Sequence, residues 1–287
     1  MSKSTATLIG FVAVLLWALL ALFTVGAREV PPLQLNAVCF AIGGTIGVIW
    51  TTVSKRWGEL RSVPLSIYLF GTIGLFGYHF LYFSALRAAP PAEAGLIAYL
   101  WPLLIVLFSG LLPGERLRPL HLIGAAVSFV GAALIVAQGA AFSGANGLGY
   151  LLAAGCALTW SSYSVLSRRF GSVSSMVVTV YCLATALLSL IAHLALEQTV
   201  WPSTSHGWAS MIALGVGPVG AAFYVWDIGV KRGNIQLLGT ASYAAPLLST
   251  FALIVAGIAE PRATLVLSAI LITCGAGMAA YASRHSE

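Results

Sequence analysis

The chain has 287 residues, 59% hydrophobic and only 8% charged, with a mean hydropathy of +0.95. Soluble domains carry roughly 25% charged residues, so this composition cannot supply a water-facing surface and leaves no room for a soluble catalytic domain. The formal net charge of +6 does not point to nucleic acid. Its basic residues lie between apolar runs, where flanking charges orient membrane helices.

A spanning helix takes roughly 20 apolar residues. Apolar runs bounded by charge, Pro and Gly predict ten helices: 6–25, 34–53, 64–88, 92–112, 119–138, 147–168, 174–196, 207–230, 236–257 and 263–283. The first follows Lys3, and Val25-Gly26-Ala27 loosely resembles a cleavage site. Its spanning length and its later counterpart mark it as a retained helix. Pro31-Pro32, Pro90-Pro91, Pro113-Gly114 and Gly233-Asn234 mark breaks. Cys39, Cys156, Cys182 and Cys274 all fall inside apolar runs without CxxC or zinc-ligand spacing. No metal and no other cofactor is expected.

Charge sets an expected orientation. With the N-terminus in the cytoplasm, the inner segments carry Lys3, Lys55, Arg56, Arg61, Arg116, Arg118, Arg168, Arg169, Lys231, Arg232 and Arg284. The outer side keeps only Arg28, Arg87 and Arg262. This bias places both termini in the cytoplasm. Lys55, Arg56, Arg168 and Arg169 are flanking charges that need no further role on this reading.

An internal repeat appears at an offset of about 144 residues. Gly95, Tyr99, Pro102 and Leu104 align with Gly239, Tyr243, Pro246 and Leu248, Arg87 with Lys231, and Gly131-Ala132 with Gly275-Ala276. One residue off that register, Trp17 aligns with Trp160 and Cys39 with Cys182. Five helices per half is odd, so the second half enters the membrane from the opposite side. The expected fold is therefore an all-α polytopic membrane protein of two inverted five-helix repeats, residues 1–140 and 145–287. Rocking of such halves gives alternating access to a midplane site.

Paired Gly- or Pro-interrupted helices point to that site. Gly71, Gly74 and Gly77 in the third helix face Gly215, Gly217, Pro218 and Gly220 in the eighth; tight packing through small residues is the competing explanation. Pro102 and Pro246 each remove one backbone hydrogen bond at matched positions, suiting hinges or gates. Beside these breaks lie Trp17, Tyr78, His79, Tyr82, Tyr99, Trp101, Trp160, Tyr163, Trp226 and Tyr243. A cavity lined by such rings, with hydroxyl and indole donors, suits a flat and partly polar ligand, although many membrane aromatics are interfacial anchors. Glu93 and Asp227 are the carboxylates available for proton coupling. Glu93 also suits a helix N-terminus, and Asp227 can pair with Lys231 four residues on. His121 and His193 fall at helix ends. Small residues in the fifth and tenth helices suit joining the two halves or two protomers; a monomer is expected, a dimer being the alternative.

These residues carry a family resemblance. Leu16-Trp17-Ala18, residues 157–169 (ALTWSSYSVLSRR) and 242–249 (SYAAPLLS) resemble the ten-helix EamA branch of the drug/metabolite transporter superfamily over all ten spans. Residues 93–108 (EAGLIAYLWPLLIVLF) and 224–234 (YVWDIGVKRGN) are similar to those of bacterial aromatic amino acid exporters. Pro261 after Glu260 is a small departure from the branch's pattern. The resemblance implies export of aromatic and other neutral amino acids across an inner membrane. Facilitated diffusion is favoured, because no carboxylate sits clearly at mid-span. The alternative is a proton-coupled drug or metabolite exporter on the same scaffold. A membrane-embedded enzyme would need convergent nucleophiles, acids or metal ligands, and neither HExxH nor GxSxG is present. Across the repeat His79 faces Phe223 and Trp101 faces Ala245, so the binding surface is expected to lean toward the first half.

Overall fold

The computed structural model describes residues 1–284, with only the backbone of Arg284, so residues 285–287 of the second predicted repeat and the charge assigned at Arg284 lie outside the described residues. Among the described residues every regular element is helical. The spans are α1 (Lys3–Gly26), α2 (Pro32–Val53), α3 (Leu65–Ala88), α4 (Pro91–Ser109), α5 (Pro119–Val136), α6 (Gly147–Ser167), α7 (Val177–Leu196), α8 (Ser205–Arg232), α9 (Ile235–Val255) and α10 (Thr264–Ser283). Nine described helices are long and apolar enough to cross a membrane. The other, α6, has 21 residues, but Thr159, Trp160, Ser161, Ser162, Tyr163 and Ser164 dilute its apolarity. That polar stretch belongs to the candidate site.

Local chemistry sets the helix ends. Pro stands in the first turn of α2, α4 and α5, where its missing N–H costs nothing. Ser2, Thr204 and Asn234 cap α1, α8 and α9 through side-chain oxygens. At α2 the cap residue is Pro31, which has no such oxygen. The Glu197 carboxylate arrives from the end of α7 and accepts the Leu33 and Gln34 N–H groups at 3.1 and 3.2 Å. A short helix, Trp57–Arg61, fills the α2–α3 loop, with Arg56 and Glu59 paired at 2.6 Å.

Helix packing carries the repeat. The pairs α5–α10, α2–α7 and α4–α9 are in contact, and so are α3–α6 with α1–α8, α4–α6 with α1–α9, and α3–α7 with α2–α8. Exchanging each helix of the first half with its mate five places on returns this same set of contacts. The two five-helix halves are thus related by a pseudo-two-fold axis. The α5–α10 contact lets backbones approach at Gly124 and Gly275, where a Cβ on Gly275 would stand 2.3 Å from the Gly124 carbonyl oxygen. This face joins the two halves.

Four spans are interrupted. α4 breaks between Ala98 and Trp101, and α9 between Ala241 and Ala244, each just before the proline that cannot donate back into the preceding turn. α8 passes through a π-helical turn, Gly217–Ala221. α1 breaks at Leu19, for which the repeat gave no signal. The expected partner break in α3 is absent: Leu65–Ala88 is one continuous helix. Its glycines admit tyrosine rings instead, since a Cβ on Gly71 would lie 2.2 Å from Tyr181 and one on Gly74 2.5 Å from Tyr163.

Candidate functional site

One end of the bundle holds both ends of the described residues: Lys3 and Ser283 line the same polar recess with Glu115, His121 and Gln236. This end is called the terminal face. Odd-numbered helices of the first half leave it, and α6 returns toward it.

Four tryptophans meet at the centre. Trp17 of α1, Trp101 of α4, Trp160 of α6 and Trp226 of α8 each touch the other three, with ring centroids 5.1–6.4 Å apart. Edge-to-face and tilted arrangements dominate, as ring quadrupoles prefer. Trp226 donates its indole N–H to Ser164 Oγ at 3.0 Å, and Trp17 donates to the Pro218 carbonyl at 3.1 Å. Trp101, Trp160 and Trp226 are buried, while Trp17 keeps some accessible surface.

Tyr78 packs on Trp160 at 5.3 Å and stacks on Tyr82 at 6.2 Å with rings 3° from parallel. His79 lies between Phe40 (5.0 Å) and Phe223 (5.8 Å). Its Nδ1 is 2.8 Å from the Leu75 carbonyl. A carbonyl only accepts, so the proton sits on Nδ1 and Nε2 of the neutral ring is an acceptor. Tyr78, His79, Tyr82 and Tyr99 all retain accessible surface. They stand nearer the face opposite the termini; toward the terminal face Tyr163 is buried, while Phe70 and Phe170 are half-buried. There Trp160 leads to Tyr163 at 5.3 Å, Tyr163 to Phe70 at 5.5 Å, and Phe70 to Phe170 at 5.3 Å.

Below those rings the loops are tied across the halves. Arg168, at the end of α6, pairs with Glu115 and donates to the Val230 and Gly233 carbonyls at 3.0 and 2.8 Å. Gln236 donates to the other Glu115 oxygen at 3.0 Å. This corrects the reading of Arg168 as a flanking charge alone: its charge was legible, but its partners come from other loops. Asp227 and Lys231 are both buried and 2.8 Å apart. Asp227 Oδ2 takes the Lys231 ammonium, and Oδ1 has no hydrogen-bond partner among the described residues.

Other expected site residues lie apart. Tyr243 is buried with Ala132 and Ile272, beside Phe129, and its hydroxyl accepts the Leu103 N–H at 3.0 Å. It braces the broken turn of α4 from the second half. Glu93 accepts from Ala141 N at 3.0 Å, from Asn146 Nδ2 at 3.4 Å and from the Tyr150 hydroxyl, tying α4 to the α5–α6 loop. On the same face Glu197 also holds Arg87, and His193 Nδ1 at 3.0 Å.

Phe40 and Phe223 were missed as ring contacts. The signal for Phe223 was its position as the repeat mate of His79; Phe40 had none beyond its apolar helix. Trp226 was named without its mate, yet it stands 144 residues after Tyr82. Equivalent positions of the two halves therefore both present rings to the centre.

The EamA-like transporter family matches residues 4–137 and 147–281. The chain belongs to that family. It is 52% identical to the aromatic amino acid exporter YddG of Ancylobacter novellus, over 99% of this chain and 100% of that one. It is 25% identical to the aromatic amino acid exporter YddG of Escherichia coli over 97% of each. A solved crystal structure matches with a TM-score of 0.95 and 52% identity, covering 100% of both chains. This EamA-like protein is a multi-pass membrane transporter for a small-molecule substrate and not an enzyme.

Proposed function

We propose that this protein exports aromatic amino acids from the cytoplasm across a bacterial inner membrane by alternating access, as facilitated diffusion. The observation that carries this reading is the four-tryptophan cluster edged by Tyr78, which His79 and Tyr82 pack against in turn. Rings offer faces and edges to a substrate ring. The His79 Nε2 acceptor suits the α-ammonium group, and the tyrosine hydroxyls suit the carboxylate. The names of the two relatives support the same substrate class.

On this reading Trp17, Tyr78, His79, Tyr82, Tyr99, Trp101, Trp160, Tyr163 and Trp226 receive the substrate, with Tyr243 bracing from behind. The breaks at Pro102, Pro246 and Gly217-Pro218 are the flexing points, and the repeats divide at 1–140 and 145–287. Both termini are cytoplasmic, so the terminal face is the cytoplasmic one. The arrangement then faces outward: Tyr78, His79, Tyr82 and Tyr99 keep accessible surface on the periplasmic half, while buried Tyr163 and the Arg168–Glu115 pair close the cytoplasmic half.

Proteoliposomes loaded with labelled phenylalanine, tyrosine or tryptophan test this. Flux above empty liposomes, in either direction and without a pH gradient, is expected. No flux of any aromatic amino acid would overturn the reading. A second reading, proton-coupled export, is favoured by one observation: Asp227 is a buried carboxylate whose Oδ1 has no hydrogen-bond partner among the described residues. Glu93 is a weaker candidate, since three donors already hold it away from the tryptophans. If Asp227→Asn leaves flux unchanged, and flux ignores a pH gradient, obligate coupling through Asp227 is wrong.

A further inference from the structure

α8 is the interrupted span that passes through a π turn beside the site. Over Gly217–Ala221 it winds as a π-helix, and the Ala222 N–H reaches back to the Gly217 carbonyl, five residues away, in place of the Pro218 carbonyl. Pro218 itself has no N–H to offer. A π turn inside an α-helix is a local register slip, and such slips cluster at functional positions. The Pro218 carbonyl, displaced from its ordinary amide, takes the Trp17 indole N–H at 3.1 Å.

The same indole touches the candidate substrate site. Its ring lies 5.9 Å from Trp160 and 5.1 Å from Trp226, a residue of α8 beyond the π turn. Trp17 also sits where α1 breaks, since the Leu19 N–H turns back to the Leu16 and Trp17 carbonyls. One side chain therefore spans the rings of the site and the slipped turn of α8. The mate of Trp17 does not repeat this: Trp160 faces α3, which is continuous and has no slipped turn.

We infer that Trp17 is a positioning residue that couples occupancy of the aromatic site to the register of α8. With the site empty, its N–H holds the Pro218 carbonyl and the π turn together. A substrate ring entering the cluster moves the Trp17 indole, and the carbonyl is released. The π turn then relaxes or migrates along α8 and re-aims Trp226 and the chain beyond it. A helix turns by about 100° per residue, so even a one-residue migration redirects side chains substantially. The coupling rests on the proposal that aromatic amino acids bind at this cluster.

Trp17→Phe separates coupling from binding, because it keeps a ring and removes the N–H. Half-saturation for tryptophan flux in proteoliposomes is expected to change less than maximal flux does. Maximal flux should fall roughly five- to tenfold, the factor one hydrogen bond is worth. Hydrogen exchange of the 222–226 amides gives a second readout that needs no variant. In the unaltered protein, added tryptophan should raise it; in Trp17→Phe it should already be raised and should not respond. Unchanged maximal flux, a loss of binding that matches the loss of flux, or exchange in the unaltered protein that ignores substrate would each overturn the coupling. If the unaltered protein binds no aromatic amino acid, both readings fall. If it binds and transports while Trp17→Phe behaves identically, only the coupling falls.

Discussion

The tryptophans contribute packing and hydrogen bonding separately, and the two can be measured apart. Trp226 is fully buried and donates to Ser164. Trp226→Phe keeps most of the ring and forfeits that bond, so it should lower stability by about 1 kcal/mol. Trp226→Ala opens a cavity and should cost ~3–5 kcal/mol. Thermal melting of the detergent-solubilised protein gives the order; equal losses would mean the packing is not what Trp226 supplies. His79 offers the complementary case. His79→Phe retains the packing between Phe40 and Phe223 but loses the acceptor, so half-saturation for flux should rise roughly tenfold, the factor for a hydrogen bond to a charged group, with melting unchanged. The sequence made Trp17 and Trp160 legible as mates, because both occupy the same place in the repeat. It could not bring Trp101 and Trp226 beside them, since those come from non-equivalent positions, nor set Tyr243 apart.

Among the elements, the contrast between α3 and α8 decides which span bends. Gly220 in α8 packs on Gly43 of α2, and a Cβ there would stand 2.2 Å from the Gly215 carbonyl oxygen. Gly220→Ala therefore cannot keep the π turn, and flux should be lost even where the protein still folds. Backbone cannot yield as a side-chain tip does. Pro102→Ala tests the α4 break in the opposite sense. It restores a donor for the preceding turn, so melting should hold or rise while flux slows. If flux is unaffected, the α4 break plays no part in motion. Glycines and prolines were legible as special positions in all these spans. Their outcome was not, because a glycine either permits a break or admits a neighbour's ring. Tyr163 and Tyr181 filled the spaces at Gly74 and Gly71, and α3 runs unbroken.

Across the whole molecule, the tie at the terminal face is shared by both halves. Glu115 belongs to the first, Arg168 and Gln236 to the second. An exposed ion pair contributes little, but Arg168 here also serves two carbonyls at a helix end. Glu115→Ala should loosen this tie without disturbing the tryptophans. With the native cysteines replaced and a cysteine put at buried Ser167, a membrane-impermeant maleimide applied to the terminal face should label it faster in Glu115→Ala. Equal labelling would show that the rings alone close that face.

The sequence by itself determined the solvent, the number of spans, the repeat and the ring-rich residues. Each of these is one-dimensional: apolar runs of membrane length, an odd count per half, a fixed offset, and residue types that lipid-exposed positions do not require. The tertiary structure alone decided which rings meet and which of two matched helices breaks. It also decided which surface charges reach across the halves. Those outcomes depend on contacts between helices far apart in the chain, where one small residue or one ring selects between alternatives that the local sequence does not distinguish.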